Sequence, residues 1–286
     1  MKTKAHPAYK AAAEIKKISR EKRDINEQKK RLEYQLNYYE TVFPWLEEFK
    51  EVPPIEGARY ISNSSNDIEM EYELLRNWLS PEEYSKLSNT QKYQLALDRY
   101  QKRKKNDWEV GIEYERFVGY MYERHGYKVQ YHGALMGKQD MGRDLVATKG
   151  GQTLVIQCKR WAKEKTIHEK HIFQLYGSTV QMMVDSNQVC TPVFVTTTTL
   201  SELAKKCAEY LHIEVAENYE YREYPLIKCN ISNSGEKIFH LPFDQQYDRV
   251  QISAAKGEKY VATIEEAEKL GFRRAHRWSG NMKPKE

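Results

Sequence analysis

The sequence predicts an α/β domain of about a hundred residues, roughly 108–216, between a helical N-terminal region (1–107) and a small α+β C-terminal module (217–286). Three observations predict it. An amphipathic helix is followed by short extended runs. Two of those runs flank the bend Lys149-Gly150-Gly151-Gln152. Extended and helical segments then alternate as far as Ala216.

Each element has its own signal. Tyr114, Phe117, Val118, Met121 and Tyr122 lie on one helical face, and Gly126 in His125-Gly126-Tyr127 stops that helix. Lys128–Tyr131, Asp144–Thr148 and Thr153–Lys159 are expected as strands, the last two joined by the glycine bend as a hairpin. Thr166 with Glu169 is spaced as a capping box, opening a helix to about Val184. Pro192–Thr197 reads as a buried strand. Thr199 with Glu202 caps another helix, with Leu203, Ala204, Cys207 and Leu211 inward, and Ile213–Ala216 ends the domain as a short strand.

The flanks carry weaker patterns. Ala11, Ile18, Ile25, Leu32 and Tyr39 recur every seven residues, with Ile15, Leu36 and Phe43 on a second row that Lys22 and Lys29 interrupt. This is either a dimerising coiled-coil arm or one amphipathic helix lying on its own chain. Pro44 and Pro53-Pro54 end helical segments, residues 62–67 form a polar loop, and Ser80-Pro81-Glu82-Glu83 starts a new helix. The run Lys102-Arg103-Lys104-Lys105 is either a solvated helix end or a phosphate contact. Further on, Ser232–Gly235 marks a second hairpin, and Thr263 to Gly271 a short capped helix.

Composition narrows the class. Of 286 residues, 46 are Lys or Arg and 41 Asp or Glu, a net charge of +5 that permits a nucleic-acid partner without requiring one. The 21 Tyr, 8 Phe and 5 Trp are too many for a disordered chain. No apolar run reaches the roughly 18–20 residues of a membrane span, and the N-terminus lacks a signal-peptide core. Cys158, Cys190, Cys207 and Cys229 are widely spaced, which argues against a disulfide framework or a cysteine zinc site and makes the cytoplasm the expected location.

The chemistry concentrates in Gly142-Arg143-Asp144 and Gln157-Cys158-Lys159-Arg160. Side chains alternate along a strand, so Gln157 and Lys159 share a face, and the hairpin returns that face to Asp144. A carboxylate, an amide oxygen and an ammonium group then converge. Phosphodiester hydrolysis needs such a group: a carboxylate-held Mg²⁺ to lower the pKa of water, and a lysine to orient that water and stabilise the developing charge. Mg²⁺ needs only one or two protein carboxylates, and Glu115 on the preceding helix is the candidate second acid.

Gly111–Glu115, His125–Val129, Gly142-Arg143-Asp144, Gln157–Arg160 and Phe194–Thr197, in this order, resemble the Mrr-type restriction endonucleases of the PD-(D/E)XK nuclease superfamily. The resemblance implies a restriction-endonuclease-like core, a mixed sheet flanked by helices. It implies a Mg²⁺-dependent DNA endonuclease, with Mn²⁺ as a substitute, acting against foreign DNA. Asp144 would bind metal, Glu115 assist, Gln157 hold the usual acidic position and Lys159 be the catalytic lysine, with the Cys158 carbonyl as a further metal ligand. Gln157 makes the site one negative charge poorer than with the usual acid, so metal binding is expected to depend on the substrate phosphate. A structure-selective resolvase and a non-catalytic DNA-binding module are the rival readings.

Around that core, His171, Gln174 and Ser178 form a polar stripe, either solvent-facing or, for Gln174 with His171 in support, close to the site. His168 is read as solvent-facing. Arg160, Lys163 and Lys165 are candidate DNA contacts or ordinary surface cations. The segment from Phe239 to Trp278 weakly resembles the Ada-type metal-binding module, yet has no cysteine for zinc. Arg273, Arg274 and Arg277 with Trp278 either clamp a backbone or only complete a small fold. Cutting both strands needs two sites, so a homodimer or higher homo-oligomer is expected, and no membrane partner.

Overall fold

The computed structural model describes residues 17–30, 32, 75–133 and 142–275. Pro44, Pro53, Pro54, the polar loop 62–67, Asp140, Arg277, Trp278 and the outer heptad positions lie outside them. The chain divides into two units, Met1–Arg59 and Tyr60–Glu286. In the first, residues 17–30 are helical (α1), and the heptad residues Ile18, Ile25 and Leu32 are exposed.

Among the described residues of the second unit, three capped helices come first: α2 (Pro81–Lys86), α3 (Asn89–Lys102) and α4 (Asp107–Arg124). Each opens on a reciprocal capping box, from Ser80, Ser88 and Asn106. His125 caps the end of α4, and Gly126 follows with φ +82°. The basic run between α3 and α4 is partly internal: Arg103 pairs with Glu109, and Lys105 with Glu113 at 2.5 Å.

A five-stranded mixed sheet follows in the order β1-β2-β3-β5-β7. β1 (Lys128–Tyr131), β2 (Leu145–Lys149) and β3 (Gln152–Lys159) are antiparallel. β5 (Thr191–Thr196) and β7 (Glu214–Ala216) run parallel to β3. The predicted bend joins β2 to β3, with Gly150 and Gly151 both at positive φ as a tight two-residue hairpin demands. α4 packs Tyr114, Phe117 and Val118 on one face against Leu154, Ile156 and Cys158. α5 (Glu169–Ser186) and α6 (Glu202–Tyr210) pack on the other against Val155 and Phe194.

Two expected helix starts are corrected. Thr166 and Thr199 were the expected caps, but Thr166–Ile167 (β4) and Thr199–Leu200 (β6) instead pair as a short parallel ladder that buries Ile167 and Leu200. α5 therefore starts after His168, which makes no side-chain cap, and α6 is capped by Ser201. α5 also runs two residues beyond Val184 and ends on Asn187 in the left-handed region. Leu203 is exposed rather than inward.

The C-terminal sheet has the order β10-β8-β9-β11. β8 (Ile227–Ile231), β9 (Lys237–His240) and β10 (Lys259–Val261) are antiparallel neighbours, and β11 (Arg273–Arg274) joins β9 in parallel. α7 (Ile264–Lys269), capped by Thr263, covers it together with α3. Tyr93, Ala96 and Leu97 share one core with Ile227, Phe239 and Ile264, so residues 75–102 pack with the C-terminal sheet. A buried polar layer ties this sheet to α4. Arg116 donates two 2.7 Å bonds to Asp248, and Glu123 accepts from the Tyr131 and Tyr260 hydroxyls and the Ile252 amide. Lys228, fully buried, donates to the Tyr247 and Val250 carbonyls, and burial pushes its pKa down to about 8.

His240 gives this core a pH dependence. Burial holds its pKa down at about 4, with Asp244 opposing and Arg274 and Lys228 assisting. Below pH 6.5 the unfolded chain takes up a proton that the folded chain refuses, so stability falls as pH drops toward 4. Wild type should lose on the order of 3 kcal/mol relative to His240→Leu between pH 7 and 4, by urea unfolding. Parallel curves for the two proteins would contradict this.

Candidate active site

The sheet places the expected residues along one edge. The hairpin register pairs Leu145 with Ile156, and the Asp144 amide extends it by donating to the Ile156 carbonyl at 3.0 Å. Asp144 is thereby set opposite Gln157, and its Oδ2 accepts the Cys158 amide at 2.6 Å. Asp144 as a residue is 8% exposed. Lys159, two residues beyond Gln157 on the same face, ends β3, its carbonyl accepting from Thr197 at 3.1 Å.

Glu115 enters from α4. A Cβ on Gly133, just past β1, would fall 2.6 Å from Glu115 Oε2, so that carboxylate rests on glycine backbone at the same edge. The Gly133 amide in turn donates to the Asp144 carbonyl at 3.0 Å. Cys158 reports the same grouping electrostatically. Burial raises its thiol pKa well above the ordinary value, the Asp144 and Glu115 carboxylates raise it further, and Lys159 opposes them. All three charges act on one residue.

Gln157 is 1% exposed. Its amide nitrogen donates to Gln174 Oε1 at 3.4 Å, while its buried Oε1 has no hydrogen-bond partner among the described residues. An unsatisfied buried acceptor costs stability unless a cation or water takes it. Two carboxylates and this amide oxygen are hard oxygen donors, a set that suits Mg²⁺. No group of three His, Cys, Asp or Glu side chains able to hold a metal occurs among the described residues.

The stripe on α5 divides. His171 and Ser178 are buried, His171 edge-on to Trp161 with ring centroids 5.2 Å apart, whereas Gln174 is exposed and reaches Gln157. His168 is exposed. Of the candidate DNA contacts, Arg160 lies over the Tyr221 ring at 4.7 Å, Lys163 pairs with Glu220 at 2.6 Å, and Lys165 lies 6.0 Å from the Trp161 ring. Arg273 pairs with Glu236 at 3.1 Å. Arg274 is clasped by both oxygens of Asp244, is largely buried, and lies over Tyr93 and Phe239, in the C-terminal core.

Sequence reasoning missed three supports. Gly133 admits Glu115, Gly142 lies against Gln157, and the Thr197 hydroxyl accepts the Trp161 amide and donates to its carbonyl, fixing the turn after Lys159. Only Gly142, adjoining Arg143-Asp144, carried a local signal.

A mixed sheet flanked by helices, with two acids, an amide and a lysine at one edge, defines a restriction-endonuclease-like α/β core. Residues 108–220 match the family model Mrr_cat, described as restriction endonuclease. No curated protein matches the chain. A solved structure titled "Crystal Structure of Protein of Unknown Function AF1548" is 22% identical over 42% of this chain and 69% of its own, with a TM-score of 0.30. So loose a likeness leaves the assignment to the family match and the geometry. No described helix is long and apolar enough to cross a membrane.

Gly142 yields a stability test. Its φ is +81°, and a Cβ there would lie 2.9 Å from Gln174 Nε2 and 3.0 Å from Gln157 Nε2. Gly142→Ala should cost about 1–2 kcal/mol in chemical denaturation through the left-handed backbone alone. A neutral substitution would mean this turn is not held at positive φ.

Proposed function

We propose that this chain is a Mg²⁺-dependent DNA endonuclease whose catalytic domain spans residues 108–220. The observation that carries the reading is the convergence of Asp144, the partnerless Gln157 oxygen and Lys159 on one sheet edge, with Glu115 beside them. Asp144, Glu115, the Gln157 oxygen and the Cys158 carbonyl would hold the metal. When bound, it supplies Lewis-acid stabilisation of the phosphate and a more acidic water. Asp144 is oriented for this by the Cys158 amide, which fixes one carboxylate oxygen. Lys159 orients the attacking water and offsets charge on the phosphate oxygens. Gln174 accepts from the Gln157 amide nitrogen, so the Gln157 oxygen is the end that would serve as a ligand.

Restriction of foreign DNA is the biological role the family match suggests, with a homodimer supplying two sites for double-strand cutting. Arg160, Lys163 and Lys165 follow the catalytic strand and suit backbone contacts. Arg273, at the surface of the C-terminal module, is a further candidate.

With Mg²⁺, the protein should nick plasmid DNA, and Asp144→Ala and Lys159→Ala should each slow nicking by at least about 100-fold. Methylated plasmid and a four-way junction, assayed in parallel, separate restriction from junction resolution. DNA binding without cleavage in Mg²⁺ or Mn²⁺, unaltered by Asp144→Ala, would establish a non-catalytic binding module instead.

The neutral Gln157 predicts a second behaviour. Calorimetric titration of Mg²⁺ should show weak binding to the protein alone and at least about tenfold tighter binding with uncleavable DNA present, because the phosphate brings the missing charge. Gln157→Glu should narrow that difference, and equal affinities with and without DNA would refute substrate-assisted metal binding.

A further inference from the structure

The chain leaving β7 does not depart from the catalytic edge but turns back across it. Asn218, at φ +53°, makes the turn. The Asn218 amide donates to the Thr198 carbonyl at 3.1 Å and the Tyr219 amide to the Thr196 carbonyl at 2.9 Å, so the segment crosses the end of β5. The Tyr114 hydroxyl then donates to the Tyr219 carbonyl at 2.6 Å, securing the strap to the residue beside Glu115.

At the far end of this strap Tyr221 meets Arg160. The guanidinium carbon sits 4.7 Å from the ring centroid, and the ring also packs against Phe117 of α4, edge-on with centroids 5.3 Å apart. Arg160 directly follows Lys159. Its contact with Tyr221, which packs on Phe117, sets it on the α4 side of the sheet with Cys158, and its charge is felt by Tyr114.

The contrast with the other arginines is informative. Arg103, Arg116 and Arg274 each give two donors to a carboxylate, of Glu109, Asp248 and Asp244. No carboxylate among the described residues pairs with Arg160. Stacking on an aromatic ring engages the face of a guanidinium and leaves its N–H edges for a planar or tetrahedral oxyanion. The arrangement is a cation held over an aromatic ring, with no carboxylate partner among the described residues, one residue from the proposed catalytic lysine.

We infer that Tyr221 is a positioning residue of the nuclease site: its ring holds Arg160 so that the guanidinium edges take a DNA backbone phosphate beside the one being cut. This rests on the endonuclease reading and extends it past the family match, which ends at residue 220. Tyr221 touches no reacting atom and acts through Arg160 alone.

The test uses the full chain and a short labelled DNA duplex, with affinity read by fluorescence anisotropy across a salt series and turnover read in Mg²⁺. Arg160→Gln and Tyr221→Leu should each weaken binding by about fivefold and reduce the salt slope by about one, with kcat at saturating DNA nearly kept. The double variant should bind no worse than Arg160→Gln, and Tyr221→Phe, which retains the ring, should recover the affinity. Arg160→Lys keeps the charge, loses the planar stack and leaves the packing around Tyr221 untouched, so it should also weaken binding even if Tyr221→Leu folds poorly. Wild-type affinity in Arg160→Lys, or a further loss on adding Tyr221→Leu to Arg160→Gln, overturns the inference, the latter by showing that the ring serves packing alone. If wild type cuts DNA in an Asp144-dependent way while these variants bind normally, only the positioning role falls. If wild type neither binds nor nicks DNA, the nuclease reading falls with it.

Discussion

The register of the β2–β3 hairpin is the constraint on which the rest of the candidate site depends. Leu145 opposite Ile156 puts both on the α4 face and leaves Asp144 opposite Gln157 at the end of the ladder. The Asp144 carboxylate then folds onto β3 and takes the Cys158 amide. A slip of one residue would exchange the two faces, sending Ile156 out of its core and Gln157 into it. Burial of Ile156 and Val155 on opposite faces therefore fixes the polar geometry: apolar packing sets the positions at which the polar groups meet.

The same edge gathers contributions from five other places in the chain. α4 delivers Glu115 against Gly133, and Thr197 at the end of β5 braces the turn after Lys159. α5 brings Gln174 to Gln157, Gly142 fits closely against both amides, and the returning strap sets Tyr221 under Arg160. A parallel β3–β5–β7 arrangement makes this convergence possible, because it brings the carboxyl ends of three strands to one side. Ligands in open α/β sheets gather at such ends for that reason.

The C-terminal sheet is joined to α4 by charges removed from water. Arg116 with Asp248 and Glu123 with the tyrosine hydroxyls are satisfied pairs, while Lys228 lies among Tyr131, Tyr247 and Tyr260 with two carbonyls as acceptors. Breaking one partner of such a layer leaves a buried charge exposed to the full cost of desolvation. α4 thus carries an acid at the candidate site and, in the next residue Arg116 and in Glu123 about two turns on, the anchors of a second sheet. The helix is held on both sides, which restricts the freedom of Glu115.

What the sequence determined alone was everything governed by neighbours close along the chain. Ser80, the Gly150-Gly151 bend, the α4 stop at Gly126 and the Asp144, Gln157 and Lys159 alternation all follow from local spacing, since caps, turns and strand faces are short-range geometry. Tertiary structure decided what depends on partners distant in sequence. The β4–β6 ladder displaced two plausible helix caps, because burying Ile167 and Leu200 outweighs a side-chain cap. Asp244 captured Arg274, α3 found its apolar cover in strands more than a hundred residues later, and Tyr221 reached Arg160 only because β7 turns back over the sheet. Long-range burial and pairing leave no periodicity in the chain, and only the folded molecule discloses them.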